Sequence, residues 1–155
     1  MQQQFMARAI ELAIANVRSG RGGPFAALIV KDGRVIATGT NTVTSTNDPT
    51  AHAEVVAIRG ACTLLNTFQL EDCEIYATCE PCPMCLGAIY WARPARVFFA
   101  CTSADAAAAG FDDAFITAQL ALPFSERTIP FLPLMREQAL ACFEAWKAQP
   151  DRINY

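Results

Sequence analysis

The chain of 155 residues is 53% hydrophobic and 17% charged, which excludes a disordered tail and suits one domain spanning 1–155. Its net charge of −3, with no basic run richer than the two arginines of 18–21, argues against a nucleic-acid partner, because phosphate neutralisation needs a basic face. No stretch reaches the ~18 uninterrupted apolar residues of a membrane span, and charges interrupt the N-terminus, so the seven cysteines are expected reduced, in the cytoplasm.

Phe5, Met6, Ala9, Ile10, Ala13, Ile14 and Val17 recur at helical spacing and predict an amphipathic helix over about 4–19. Gly20, Gly22, Gly23 and Pro24 end it. Two short apolar runs, 25–30 and 35–40, flank Asp32-Gly33, a strong signal for a two-residue hairpin turn. A polar loop over 41–50 follows, and Thr50 is a fitting N-cap for a helix over 51–65. The spans 74–78 and 96–100 read as strands on either side of a helix over 83–91. Short helices or loops surround Gly110, and 128–133, with two prolines, reads as an edge strand or simply extended chain. A last helix covers 135–147. Helix, hairpin, then alternating helix and strand predict an α/β fold, a three-layer α/β/α sandwich around a mixed sheet.

The chain's one histidine stands in His52-Ala53-Glu54, and Glu80-Pro81-Cys82-Pro83-Met84-Cys85 follows. H-x-E and then P-C-x-x-C is the pattern of zinc-dependent nucleobase deaminases. A catalytic zinc takes three protein ligands and leaves its fourth position open, and His52, Cys82 and Cys85 supply three. Residues i and i+3 share a helix face, so Cys82 and Cys85 point the same way. Pro83 suits the first helical position, and thiolates at a helix start are favoured by the dipole. His52 and Glu54 are two apart, so both reach one site only if it lies off the N-terminal end of their helix. A redox Cys-x-x-Cys or a pair of core cysteines is the plainer reading of 82 and 85. Cys79 competes, because Cys79-x-x-Cys82 has the same spacing, and Glu80 is either a support for the site or a solvated loop acid. Cys62, Cys73, Cys101 and Cys142 read as small buried hydrophobes.

Asn41, the segment Asp48-Pro49-Thr50-Ala51-His52-Ala53-Glu54 and the Glu80 to Cys85 motif resemble the cytidine deaminase superfamily. The stretches Tyr90-Trp91-Ala92-Arg93-Pro94, Gly110-Phe111-Asp112-Asp113 and Arg127-Thr128-Ile129-Pro130-Phe131 resemble its bacterial guanine deaminase branch. The similarity runs from about 22 to 155. It implies the cytidine deaminase-like sandwich, a bound zinc ion and hydrolysis of the purine base guanine to xanthine and ammonia. It also implies that Asn41 holds the base, Phe25 stacks on it, and Asp113, ahead of its neighbour Asp112, moves protons at the exocyclic amine. Ala53, Trp91 and Tyr155 would line the pocket. The implied assembly is a homodimer, with the helix and tail over 135–155 a candidate for exchange between copies. Each residue also has an ordinary reading: Asn41 a turn, Phe25 core, Asp112 and Asp113 a helix cap, Trp91 packing and Tyr155 a frayed end.

The chemistry stands by itself. Zinc lowers the pKa of bound water to ~7, Glu54 is the group to move that proton, and a departing amine needs a second acid such as Asp113. The alternatives are a tRNA adenosine deaminase, which shares the metal motif but must grip an anticodon loop, and a cytosine or cytidine deaminase. A non-catalytic zinc-stabilised module is the third, and it leaves Glu54 without a task.

Overall fold

In the computed structural model, which describes residues 1–111 and 113–155, α1 (Gln2–Arg18) precedes a hairpin of β1 (Ala26–Lys31) and β2 (Arg34–Thr40). Asp32 and Gly33 join the two strands with φ of 49° and 70°, the positive pair that a type I′ turn demands. β1 is buried along nearly its whole length because it pairs on both sides, antiparallel to β2 and antiparallel to β3 (Cys73–Cys79). The fourth strand, β4 (Arg96–Cys101), lies parallel outside β3 and is reached through α4 (Pro83–Ala92). The sheet order is β2-β1-β3-β4, a mixed sheet as the sequence predicts.

Alternation along the central strands sends side chains to two separate cores. Leu28, Val30 and Tyr76 face α1, where they pack with Ala9, Phe5, Met6 and Leu12. Ala27, Ile29 and Ile75 face the other way, against Ala53, Ala57 and Ala61 of α3 (Ala53–Leu65) and against Ile89 and Ala92 of α4. Helices therefore cover both faces of the sheet, which makes the three-layer sandwich. The stripe of α1 that is buried differs in detail from the apolar pattern: Ala9, Ala13 and Asn16 are inside, while Ile10, Ile14 and Val17 are about half exposed.

Thr50 is not the cap expected of it. Its amide and hydroxyl both donate to Asp48 Oδ1, at 2.8 and 2.7 Å, closing a local turn. A second tight turn follows, the His52 amide donating to the Thr50 carbonyl at 2.8 Å, so α3 begins at Ala53 and His52, with extended backbone, takes the N-cap position. A short α2 (Val43–Thr46) lies in the polar loop ahead of it.

The chain divides into two compact units, Met1–Ala114 and Phe115–Tyr155. The first also contains α5 (Ser103–Ala108), opened by a capping box in which Thr102 and Asp105 satisfy each other's backbone amides. The second comprises the body of α6 (Ala114–Ala121), a 3-10 turn Phe124–Glu126 and α7 (Arg136–Ala148). Its 128–133 stretch forms no strand, because Pro130 and Pro133 withhold the amides a ladder needs. The guanidinium of Arg127 instead lies over the rings of Phe124 and Phe131, at 4.5 and 5.1 Å.

Candidate active site

Two helix starts converge on one point. His52 is the N-cap of α3 and Cys82 the N-cap of α4, both with extended backbone. Neither side chain caps its own helix, so both are available to turn off the end toward a third group. Pro83 occupies the first turn of α4, and Cys85 follows fully buried. The Nδ1 of His52 lies 3.5 Å from Cys82 Sγ and 3.5 Å from Cys85 Sγ. Among the described residues these three form a group whose ligand atoms all lie within 4.8 Å of one another.

Those distances fit zinc. Bonds of about 2.3 Å to sulfur and about 2.0 Å to nitrogen at tetrahedral angles place the two donors about 3.5 Å apart. Two thiols and an imidazole are a donor set that selects zinc over the hard cations. The approach depends on Gly39 of β2: a Cβ there would overlap the carbonyl oxygen of Ala53. The missing side chain is what lets the first turn of α3 rest on the sheet.

Glu54 sits at the same end of α3, 8% exposed, and accepts a hydrogen bond from Cys85 Sγ at 3.4 Å. Burial pushes its carboxyl above the usual carboxylate range, while bonds from its own amide and from Cys85 oppose the shift. The hydrogen bond from Cys85 holds the Cys82 thiol well below its ordinary value, with His52 adding to the effect; the same bond pushes Cys85 up. The contact with Cys82 in turn raises His52, and the negative charge of Asp113 adds to that rise. Asp113 is half-buried and close enough for its field to be felt at the imidazole. Its neighbour Asp112 lies outside the described residues.

Cys79, the competing thiol, is not in the cluster. It ends β3, donates to the carbonyl of Thr102 at 3.5 Å, and is pushed up to about 11 by burial. Glu80 turns toward α5, where its carboxylate accepts from the Ser103 amide at 2.9 Å.

A second set of residues stands where β2 ends. Asn41 Oδ1 accepts from the amides of Gly23 and Val43, both at 3.4 Å, and the Asn41 amide donates to the carbonyl of Phe25 at 3.0 Å. Asn41 and Phe25 are therefore adjacent, and Phe111 meets Phe25 edge to face at 4.9 Å. Ala53 is buried in the first turn of α3. Trp91 is 62% exposed on α4, and Tyr155, in the second unit, is 70% exposed and packs edge-on against Trp146. Sequence reasoning passed over Asn16 and Gly39, and gave Gly22 only the task of ending the first helix. A polar residue on the Ala9, Ala13 stripe was a usable signal for the first; the two glycines have only long-range reasons, invisible in the order of residues.

A family model described as the cytidine and deoxycytidylate deaminase zinc-binding region matches residues 1–101. The guanine deaminase of Bacillus subtilis is 55% identical over 153 residues, 99% of this chain and 98% of the relative. The X-ray structure of guanine deaminase from that organism has a TM-score of 0.96, with 99% and 98% of the two chains covered. A crystal structure of a mutant of NE0047 in complex with 8-azaguanine is 36% identical at a TM-score of 0.70, covering 73% of this chain and 65% of that one. The tRNA-specific adenosine deaminase of Aquifex aeolicus is 50% identical over 76 residues, 49% of this chain and 50% of the relative.

Proposed function

The chain belongs to the cytidine and deoxycytidylate deaminase family of zinc-binding proteins, and on that premise we propose that it hydrolyses guanine to xanthine and ammonia. The observation that carries the chemistry is the buried carboxylate of Glu54 beside the His52, Cys82 and Cys85 cluster. The choice of guanine is supported by the full-length likeness to guanine deaminase, whereas the tRNA-specific relative from Aquifex aeolicus matches only half of the chain. The 8-azaguanine complex of a structural neighbour and the net charge of −3 both suit a free purine base.

His52, Cys82 and Cys85 would hold the zinc, which when bound supplies the Lewis acidity that makes water nucleophilic near neutral pH. Glu54 accepts a proton from the water that attacks guanine C2 and delivers it to the ring nitrogen beside that carbon. Its place at the head of α3 beside the cluster, hydrogen-bonded to Cys85, suits both halves of this transfer. As the C2–N bond breaks, the new C2 hydroxyl gives up its proton; Asp113, a carboxylate whose charge reaches the His52 ring, takes it up and passes it to the departing amine, which leaves as ammonia. Asn41 holds the base, Phe25 stacks on it, and Ala53 closes the pocket floor at the head of α3.

The working unit in this reading is a cytoplasmic homodimer that exchanges its 135–155 segment. No residue of the 41-residue second unit is buried, and Phe115, Leu132, Leu134, Phe143 and Ile153 are all exposed. So small a unit does not stabilise itself, and a second copy would cover these side chains. The partner's Tyr155 would then line the base pocket together with Trp91. All seven cysteines are free, which suits a reducing compartment, and among the described residues no helix is long and apolar enough to cross a membrane.

The test is ammonia release by the zinc-loaded protein from guanine, adenine, cytosine, guanosine and cytidine in parallel. Release from guanine alone is the expected result. Silence on guanine with turnover of another base overturns the substrate and leaves the proton chemistry in place.

A further inference from the structure

Asn16 is out of keeping with its surroundings. It lies one turn below Ala13 and two below Ala9 on the buried face of α1, 0% exposed, where an apolar side chain would pack without loss. Its Oδ1 meets no donor among the described residues. A buried polar atom left without a partner is costly, so packing alone does not account for an asparagine here.

Its amide nitrogen shows what the residue does. Asn16 Nδ2 donates to the carbonyl of Gly23 at 3.0 Å and to the carbonyl of Asn41 at 2.8 Å, two groups 18 residues apart in the chain. The Gly23 carbonyl also accepts from the amide of Phe25 at 2.9 Å, and the Phe25 carbonyl accepts from the amide of Asn41 at 3.0 Å. Asn16, Gly23, Phe25 and Asn41 thus close a ring of hydrogen bonds. Gly22 completes it, because a Cβ at that position would overlap the carbonyl oxygen of Asn41. Inside the ring, Asn41 Oδ1 already takes the amides of Gly23 and Val43, which leaves its Nδ2 as the donor it presents to a base.

We propose that Asn16 is a positioning residue for base recognition: through the backbone of Gly23 and Asn41 it sets the side chain of Asn41 and the ring of Phe25 as one rigid unit. The inference rests on the reading of Asn41 as a base-binding residue given above. Asn16 touches no reacting atom itself. It acts because a base held by one hydrogen bond and one stacked ring is sensitive to the spacing between them, and a shift of about 1 Å far from the chemistry is enough to cost about a hundredfold in rate.

The experiment is a double-mutant cycle on the zinc-loaded full chain, with Asn16→Ala, Asn41→Ala and the pair, read as kcat and KM for guanine by ammonia release. Zinc content and melting temperature are recorded for each variant. Asn16→Ala is expected to lower kcat/KM by about tenfold to a hundredfold, mostly through KM, with zinc stoichiometry unchanged. In the Asn41→Ala background the same change is expected to have an effect of less than about threefold, because the residue it acts through is gone. An equal fold-loss in both backgrounds, or no loss in either, overturns the proposal. Should Asn16→Ala not fold, Asn16→Ser carries the same cycle; if neither folds with zinc bound, Asn16 is a core strut and the positioning role is discarded. Failure of the underlying reading looks different: a wild-type protein inactive on guanine, or Asn41→Ala with an ordinary KM.

Discussion

The candidate metal side and the proposed base side of this site are held by different means. His52, Glu54, Cys82 and Cys85 come from two short spans at the starts of α3 and α4, and helix geometry aims them. Asn41 and Phe25 come from loop and strand ends, and their aim is set by a ring of main-chain hydrogen bonds closed through Asn16, 25 residues from Asn41. The first arrangement is specified by side-chain identity at fixed spacing. The second is specified by backbone, and the side chains that build it need carry no chemistry. Changes on the metal side should therefore act on zinc and on the rate of the chemical step, and changes on the base side on KM with zinc in place.

The largest expected effect is at Glu54. Glu54→Gln keeps the shape and removes the proton carrier, so kcat for guanine should fall by about 10²–10⁴-fold. Zinc content should stay at the wild-type value. A variant that loses its metal would show that Glu54 is a strut for Cys85, to which it is bonded at 3.4 Å, and a near-normal rate would remove it from the mechanism.

Next in size is the loss of a ligand. Cys82→Ala should bind no zinc after dialysis and melt at a lower temperature than the wild type, because the free energy of ligation is also free energy of folding. Cys79→Ala, three residues away, should keep full zinc. Its thiol is committed to the Thr102 carbonyl and burial holds it protonated. Zinc retained in Cys82→Ala and lost in Cys79→Ala would exchange the two assignments.

That pair of cysteines also marks how far the residue order could be read. The H-x-E and P-C-x-x-C spacing pointed to the candidate metal cluster because each half is local to one helix start, although bringing the two starts together depends on Gly39, which the spacing does not show. Asp32-Gly33 was equally legible, since two positive φ angles are a local demand. Thr50 was misread for a local reason as well: Asp48 captured both its donors, and the helix starts at Ala53, two residues later than expected, with His52 at its cap. The base side was not legible. Asn16 looks like an imperfection in an amphipathic helix until the carbonyls of Gly23 and Asn41 are brought to it. The exposed apolar residues of the second unit, likewise, carry no sign in the residue order of what covers them.

Two glycines offer the finest test of the contrast, because both lack room for a side chain and they stand on opposite sides of it. Gly39→Ala drives a methyl into the Ala53 carbonyl and so lifts the first turn of α3, which carries His52 and Glu54. Gly22→Ala drives one into the Asn41 carbonyl and so disturbs the ring around the base. Overpacking of this size costs about 1–3 kcal/mol at either position, so the two variants should melt at similar temperatures. Their functions should part company: Gly39→Ala should bind zinc more weakly and lose kcat, while Gly22→Ala should keep its zinc and raise KM. Titration with a competing chelator, alongside steady-state rates on guanine, separates them. If both lose zinc alike, the two sides are one cooperative unit and the distinction between side-chain and backbone specification does not hold for this site.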